Sequence, residues 1–176
     1  GNNTLNGGAG NDPLFTGTGN DTLNGGDGND TLDLRTSNIS LVGDRAFGEA
    51  GEDTVIINQT QNTGSTPILN GGADRDTLQV WGVTGATLSL GSLNATNFER
   101  LDLSSDGSAT QVLLSSASIM SLVNNTSGVN TLTLRLGAND SFSIQTEFGV
   151  TFTQGQSIRF MDSTNTQIAQ VNFEYV

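Results

Sequence analysis

Gly7 to Leu32 reads GGAGNDPLFTGTGNDTLNGGDGNDTL, and within it the triplet Gly-Asn-Asp returns every nine residues. Each of its aspartates, Asp12, Asp21 and Asp30, stands behind glycines and ahead of a short apolar segment. In a frame Gly-Gly-x-Gly-x-Asp-x-apolar-x, three contiguous units run Gly7 to Phe15, Thr16 to Asn24 and Gly25 to Asp33. A partial unit, Gly1 to Asn6, precedes them with Asn3 at the aspartate place, and two separate units follow, GEAGEDTVI (Gly48 to Ile56) and GGADRDTLQ (Gly71 to Gln79). A fixed short period outweighs other local signals, because it specifies one unit stacked on copies of itself.

Each unit divides into a glycine turn and a short strand with one large apolar side chain pointing inward. One unit is half a coil, so two make a full coil with a turn on each side. Asp12, Asp30, Asp53 and Asp76 then follow one another at intervals of 18, 23 and 23 and form one column of four turns. The five extra residues of the later coils fall to polar loops on the opposite side, Asp33 to Asp44 and Gln59 to Pro67. On this reading the second column degenerates after Asp21.

Composition sets the chemistry. Of 176 residues 34% are hydrophobic, and no apolar run approaches the roughly 20 residues that cross a bilayer, so no membrane insertion is expected. There are 23 glycines and 18 acids, no cysteine, histidine or lysine, and a net charge of -12. That balance repels nucleic acid and anionic lipid and favours cations. Gly1 to Val80 holds eleven acids against three arginines and Trp81 to Val176 seven against three, so the first part is the cation candidate. Disulfides, thiolate sites and most zinc chemistry are excluded, as is catalysis by a serine-histidine or cysteine-histidine pair, and no enzyme is expected. Oxygen ligands remain. Calcium accepts six to eight of them at flexible geometry, whereas magnesium demands an octahedron and holds its water. Without metal the stretch should not fold, because each coil buries only a few residues such as Leu14, Leu23, Leu32, Val55 and Leu78.

GGAGNDPLF, TGTGNDTLN and GGDGNDTLD resemble the calcium-binding nonapeptides of the RTX ("repeats in toxin") family, whose units wind into a right-handed parallel β-roll. The resemblance covers Gly1 to Gln79 and implies an all-β solenoid in which each ion lies between two stacked turns. It takes carbonyls from the second and fourth places of one turn, the first and third of the next, and both aspartates. Carried over, a first site joins Gly8, Gly10 and Asp12 to Gly25, Asp27 and Asp30. A second joins Gly26, Gly28 and Asp30 to Gly48, Ala50 and Asp53, and a third joins Glu49, Gly51 and Asp53 to Gly71, Ala73 and Asp76. A fourth, in the other column, would use Gly1, Asn3, Thr16, Thr18 and Asp21, giving about three to four calcium ions. Two turns depart from the pattern, with Glu49 and Asp74 in glycine places.

The resemblance further implies a secreted or cell-surface module. It would cross a type I system (ABC transporter, adaptor and outer-membrane channel) unfolded and fold in extracellular calcium. The stretch FERLDLSSDGSATQVLLSSASIMSLV looks like segments beside RTX repeats in bacterial adhesins and surface-layer proteins, and NFEYV at the end resembles an uncleaved secretion signal. An alternative is a ligand-, cell-surface- or ice-binding module, since TGTGNDT, Thr16 to Thr22, is similar to repeats of ice-binding RTX adhesins. Asp12-Pro13 is of the kind some RTX proteins cleave in themselves, but here Pro13 replaces a threonine at a strand start. Because the chain opens partway through a repeat, it is expected to be a piece of a longer protein.

Residues 80–176 form the second expected region, a β-rich cap. Alternation in TLQVWG, TLSLG, FERLDLS, TQVLL, NTLTLRLG and SFSIQ predicts further coils or a β-sandwich. Ser115 to Asn125 predicts one helix, with a serine cap and with Ile119, Leu122 and Val123 on one face. The last portion predicts hairpins turning at Gln154 to Gln156 and at Asp162 to Thr166.

Overall fold

The computed structural model describes residues 1–35, 43–58, 67–81, 86–89, 93–104, 110–123, 130–144, 150–153, 157–161 and 167–176. Most of the two expected loops (36–42 and 59–66) and both expected hairpin turns lie outside the described residues.

The chain is an all-β parallel solenoid whose two main sheets face each other. One sheet stacks β1 (Thr4–Ala9), β3 (Thr22–Asp27), β5 (Arg45–Ala50), β7 (Ile68–Ala73) and β10 (Ala95–Thr96) in that order. The other stacks β2 (Pro13–Phe15), β4 (Thr31–Asp33), β6 (Thr54–Asn58), β8 (Thr77–Trp81), β11 (Arg100–Asp102), β13 (Asn130–Leu136) and β17 (Gln167–Tyr175), all parallel. Period-2 alternation sends one side chain per strand inward and its neighbours outward. The parallel register therefore lines up Leu14, Leu32, Val55, Leu78, Leu101, Leu134 and Phe173 on one wall. Leu5, Leu23, Ala46, Leu69 and Ala95 line the other. One hydrophobic cluster extends from Leu14 to Phe173.

The expected column register holds: β2 pairs with β4 eighteen residues on (Leu14 with Leu32), and β4 with β6 twenty-three on (Leu32 with Val55). On the opposite side the glycine pattern ends after Asp21, as expected, but the stacking goes on. The sheet there continues through β5, β7 and β10, and Asp44 stands 23 residues after Asp21 with its carboxylate accepting the Asp21 amide at 2.7 Å. What is lost there is the glycine turn, not the strand.

Beyond residue 79 the chain keeps coiling instead of forming a sandwich. β8 pairs with β11, and a third parallel sheet of β9 (Ala86–Ser89), β12 (Thr110–Leu114) and β14 (Ser141–Ile144) appears. The helix α1 (Ser116–Val123) buries Ile119, Leu122 and Val123 as expected. Ser115 starts it: the Ser118 amide donates to Ser115 Oγ at 3.1 Å and the Ser115 amide to Ser118 Oγ at 3.0 Å, a reciprocal cap. At the far end β15 (Val150–Thr153), β16 (Ser157–Met161) and β17 run antiparallel to one another, so the sheet closes in hairpins. Among the described residues no helix is long and apolar enough to cross a membrane.

Candidate metal centre

The turns between the two sheets carry the acidic column, and a continuous ladder ties it together. The Asp12 amide donates to Asp30 Oδ1 at 2.8 Å, the Asp30 amide to Asp53 Oδ1 at 2.7 Å, and the Asp53 amide to Asp76 Oδ1 at 2.8 Å. The backbone of the turns is alike: the second and fourth places hold positive φ in all four. These are Gly8 and Gly10, Gly26 and Gly28, Glu49 and Gly51, and Gly72 and Asp74. Glu49 (φ 77°) and Asp74 (φ 76°) keep this conformation without glycine, so the departures from the pattern cost strain and not shape.

One carboxylate oxygen per turn is used by the ladder; the other is not. Asp12 Oδ2, Asp30 Oδ2, Asp53 Oδ2 and Asp76 Oδ2 are each buried without a hydrogen-bond partner. Asp30, Asp53 and Asp76 are themselves at most 2% exposed. A buried carboxylate oxygen with no donor is costly, and stacking such groups adds repulsion. Burial pushes the Asp53 carboxyl up to about 6 and the Asp76 carboxyl up to about 7, with neighbouring carboxylates adding to the effect against the ladder hydrogen bond. Arginine does not resolve this. Arg35 takes Asp33 at 2.6 Å and stacks over the Trp81 ring, while Arg135 takes Asp102 at 3.0 Å. Among the described residues no ion pair reaches the column.

The first-place glycines mark where the missing charge belongs. A Cβ on Gly7 would lie 2.6 Å from the Gly25 carbonyl oxygen and 3.0 Å from Asp12 Oδ2. On Gly25 it would meet the Gly48 carbonyl and Asp30 Oδ2, and on Gly48 the Gly71 carbonyl and Asp53 Oδ2. Each seat thus joins one orphaned carboxylate oxygen to a carbonyl of the next turn. Hard oxygens converging from backbone and carboxylate suit calcium, and the residues present fit it. Among the described residues no three acidic side chains are placed to hold an ion by themselves, so carbonyls would have to supply the remaining ligands.

The structure brings together the members of the first three candidate sites in stacked turns. The carbonyls of Asp27 and Ala50 accept the Gly10 and Gly28 amides at 2.8 Å. Ala73 is aligned opposite Ala50. The fourth grouping is different. Asp21 Oδ1 accepts the Asn3 amide at 2.8 Å and Oδ2 the Gly17 amide at 3.0 Å, so both oxygens are engaged. Thr18 offers its carbonyl to the amino group of Gly1, and the Thr16 hydroxyl is buried without a partner.

Sequence reading missed three members of these ladders. Asp44 accepts from Asp21, Glu99 Oε2 accepts the Asp76 amide at 3.0 Å, and the Asn97 carbonyl stands against Gly71. The signal was available, since both Asp21 to Asp44 and Asp76 to Glu99 repeat the interval of 23.

Comparison with known families agrees with this geometry. Residues 1–33 match the family model of the RTX calcium-binding nonapeptide repeat, in four copies. No curated protein and no solved structure matches the chain. The repeat, the parallel roll and the stacked orphan carboxylates converge: residues 1–33 carry the RTX calcium-binding nonapeptide repeat.

Proposed function

We propose that this chain is a calcium-dependent folding module of an exported protein, with three ions held in the column of Asp12, Asp30, Asp53 and Asp76. The observation that carries the reading is the row of buried Oδ2 atoms without donors. Divalent cations between the turns convert a repulsive stack into a bridged one, so metal binding and folding are a single event. Where calcium is scarce, as in the cytosol, the acidic coils stay open and suit passage through a type I channel. At about millimolar calcium outside the cell, weak sites fill and the roll closes.

On this reading the module has a structural role, in keeping with Asp33 and Asp102 paired to arginines and with Asp21 and Asp44 accepting backbone amides. Calcium titration followed by circular dichroism and limited proteolysis tests the proposal. Calcium should convert the chain from protease-sensitive to resistant and magnesium at equal concentration should not. Equal resistance in chelator and in calcium would refute it.

A further inference from the structure

The column does not stop where the repeat stops. After β8 the chain returns through β10 and β11, joined by Asn97, Phe98 and Glu99 in place of a nonapeptide turn. Thr96 is in register with Asn70 and Arg100 with Thr77, so this link is three residues shorter than the turn Gly71 to Asp76 beneath it. It nevertheless reproduces the essential contacts. Glu99 Oε2 accepts the Asp76 amide as each column aspartate accepts the one before, its extra methylene spanning the retracted backbone. Asn97 adopts φ 59°, and its side-chain amide donates to Asn70 Oδ1 at 2.7 Å.

A Cβ on Gly71 would lie 2.6 Å from Asp76 Oδ2 and against the Asn97 carbonyl oxygen. Seats of the same make-up occur at Gly7, Gly25 and Gly48, so the series continues into a turn that contains no repeat. Asp76 is fully buried, and its Oδ2 has no donor.

We propose that the turn Asn97–Glu99 closes a further calcium site against the last repeat turn, with Asp76 Oδ2, Glu99 and the Asn97 carbonyl as its recognisable ligands. It rests on the calcium reading of the column. The site ties metal uptake to the half of the chain without repeats. Phe98, between the two ligand residues, is fully buried, and its amide donates to the Leu122 carbonyl of α1 at 3.0 Å. An ion seated here fixes the link on which the helix packs.

The test is the number of calcium ions bound per chain at saturation, measured by equilibrium dialysis with elemental analysis. Glu99→Gln keeps an oxygen for the Asp76 amide and removes the charge; it should fold in calcium and bind one ion fewer than wild type. Glu99→Lys places an ammonium at the seat and should also fold with one ion fewer. Wild-type stoichiometry in either folded variant overturns the proposal. If neither variant folds in saturating calcium, Glu99 serves packing alone and the proposal falls as well. A wild-type chain that binds no ions would instead overturn the calcium reading of the whole column.

Discussion

Substituting Asp30 by alanine should cost more than substituting Asp12, although both occupy the same place in the repeat. Asp30 accepts the Asp12 amide through Oδ1 and presents Oδ2 toward the Gly48 carbonyl, so it serves the turn before and the turn after. Asp12 has Oδ2 near the Gly25 carbonyl but accepts no ladder amide among the described residues. Removing Asp30 therefore leaves the Asp12 amide without its charged acceptor, a loss of ~1.5–3 kcal/mol. Spread over three ions taken up in one cooperative step, that raises the calcium midpoint about two- to fivefold, at ~1.4 kcal/mol per tenfold in concentration per ion. The lost ligand adds to this figure. Calcium titration followed by circular dichroism gives the midpoints, and calorimetry gives the ions lost: two for Asp30→Ala and one for Asp12→Ala. Asp27→Ala, whose exposed side chain leaves the carbonyl in place, should titrate as wild type. Equal midpoints and equal ion losses for Asp12→Ala and Asp30→Ala would refute the shared-ligand column.

Three further outcomes are expected. Because burial raises Asp53 to about 6 and Asp76 to about 7, above an ordinary aspartate near 3.9, the metal-free fold gains stability at low pH and loses it as pH rises through 6 to 7. Chelator-treated protein, open at pH 8, should thus regain part of its protease resistance at pH 5, while the calcium midpoint should fall over the same rise in pH. Gly48→Ala puts a methyl between the Gly71 carbonyl and Asp53 Oδ2 and should abolish calcium-induced folding, whereas Gly17→Ala meets open space and should fold normally, as read by protease resistance. Phe98→Ala empties a fully buried site at a cost of ~3–5 kcal/mol, and calorimetry of the calcium-loaded chain should show a lower unfolding temperature.

The column was legible in the sequence because turn and ligand are written in the same residues: glycines for the backbone and aspartate at fixed spacing. The helix was legible for a similar reason, since Ser115 and the spacing of Ile119, Leu122 and Val123 are local signals. Asp44 was hidden because its turn has no glycine pattern, and only the interval of 23 connects it to Asp21. Glu99 was hidden twice, by a shortened turn and by a change from aspartate. Coils beyond residue 79 could not be told from a sandwich, because alternating apolar residues fix which face is inward but not which strand lies alongside. Long-range register, such as Leu101 on Leu134, is decided by packing.

The amide-to-carboxylate ladder has a direction. At every rung the donor belongs to the earlier coil and the acceptor to the later one, and Glu99 ends the series as an acceptor. A stack growing toward the amino end presents each incoming coil with an anchored charge, to which a free amide can dock. Growth the other way would present only an anchored neutral amide to a carboxylate still solvated on a loose chain, the weaker lure. This polarity predicts that the roll closes like a primed template, with the coil at Arg100 as the primer and copying backward along the chain.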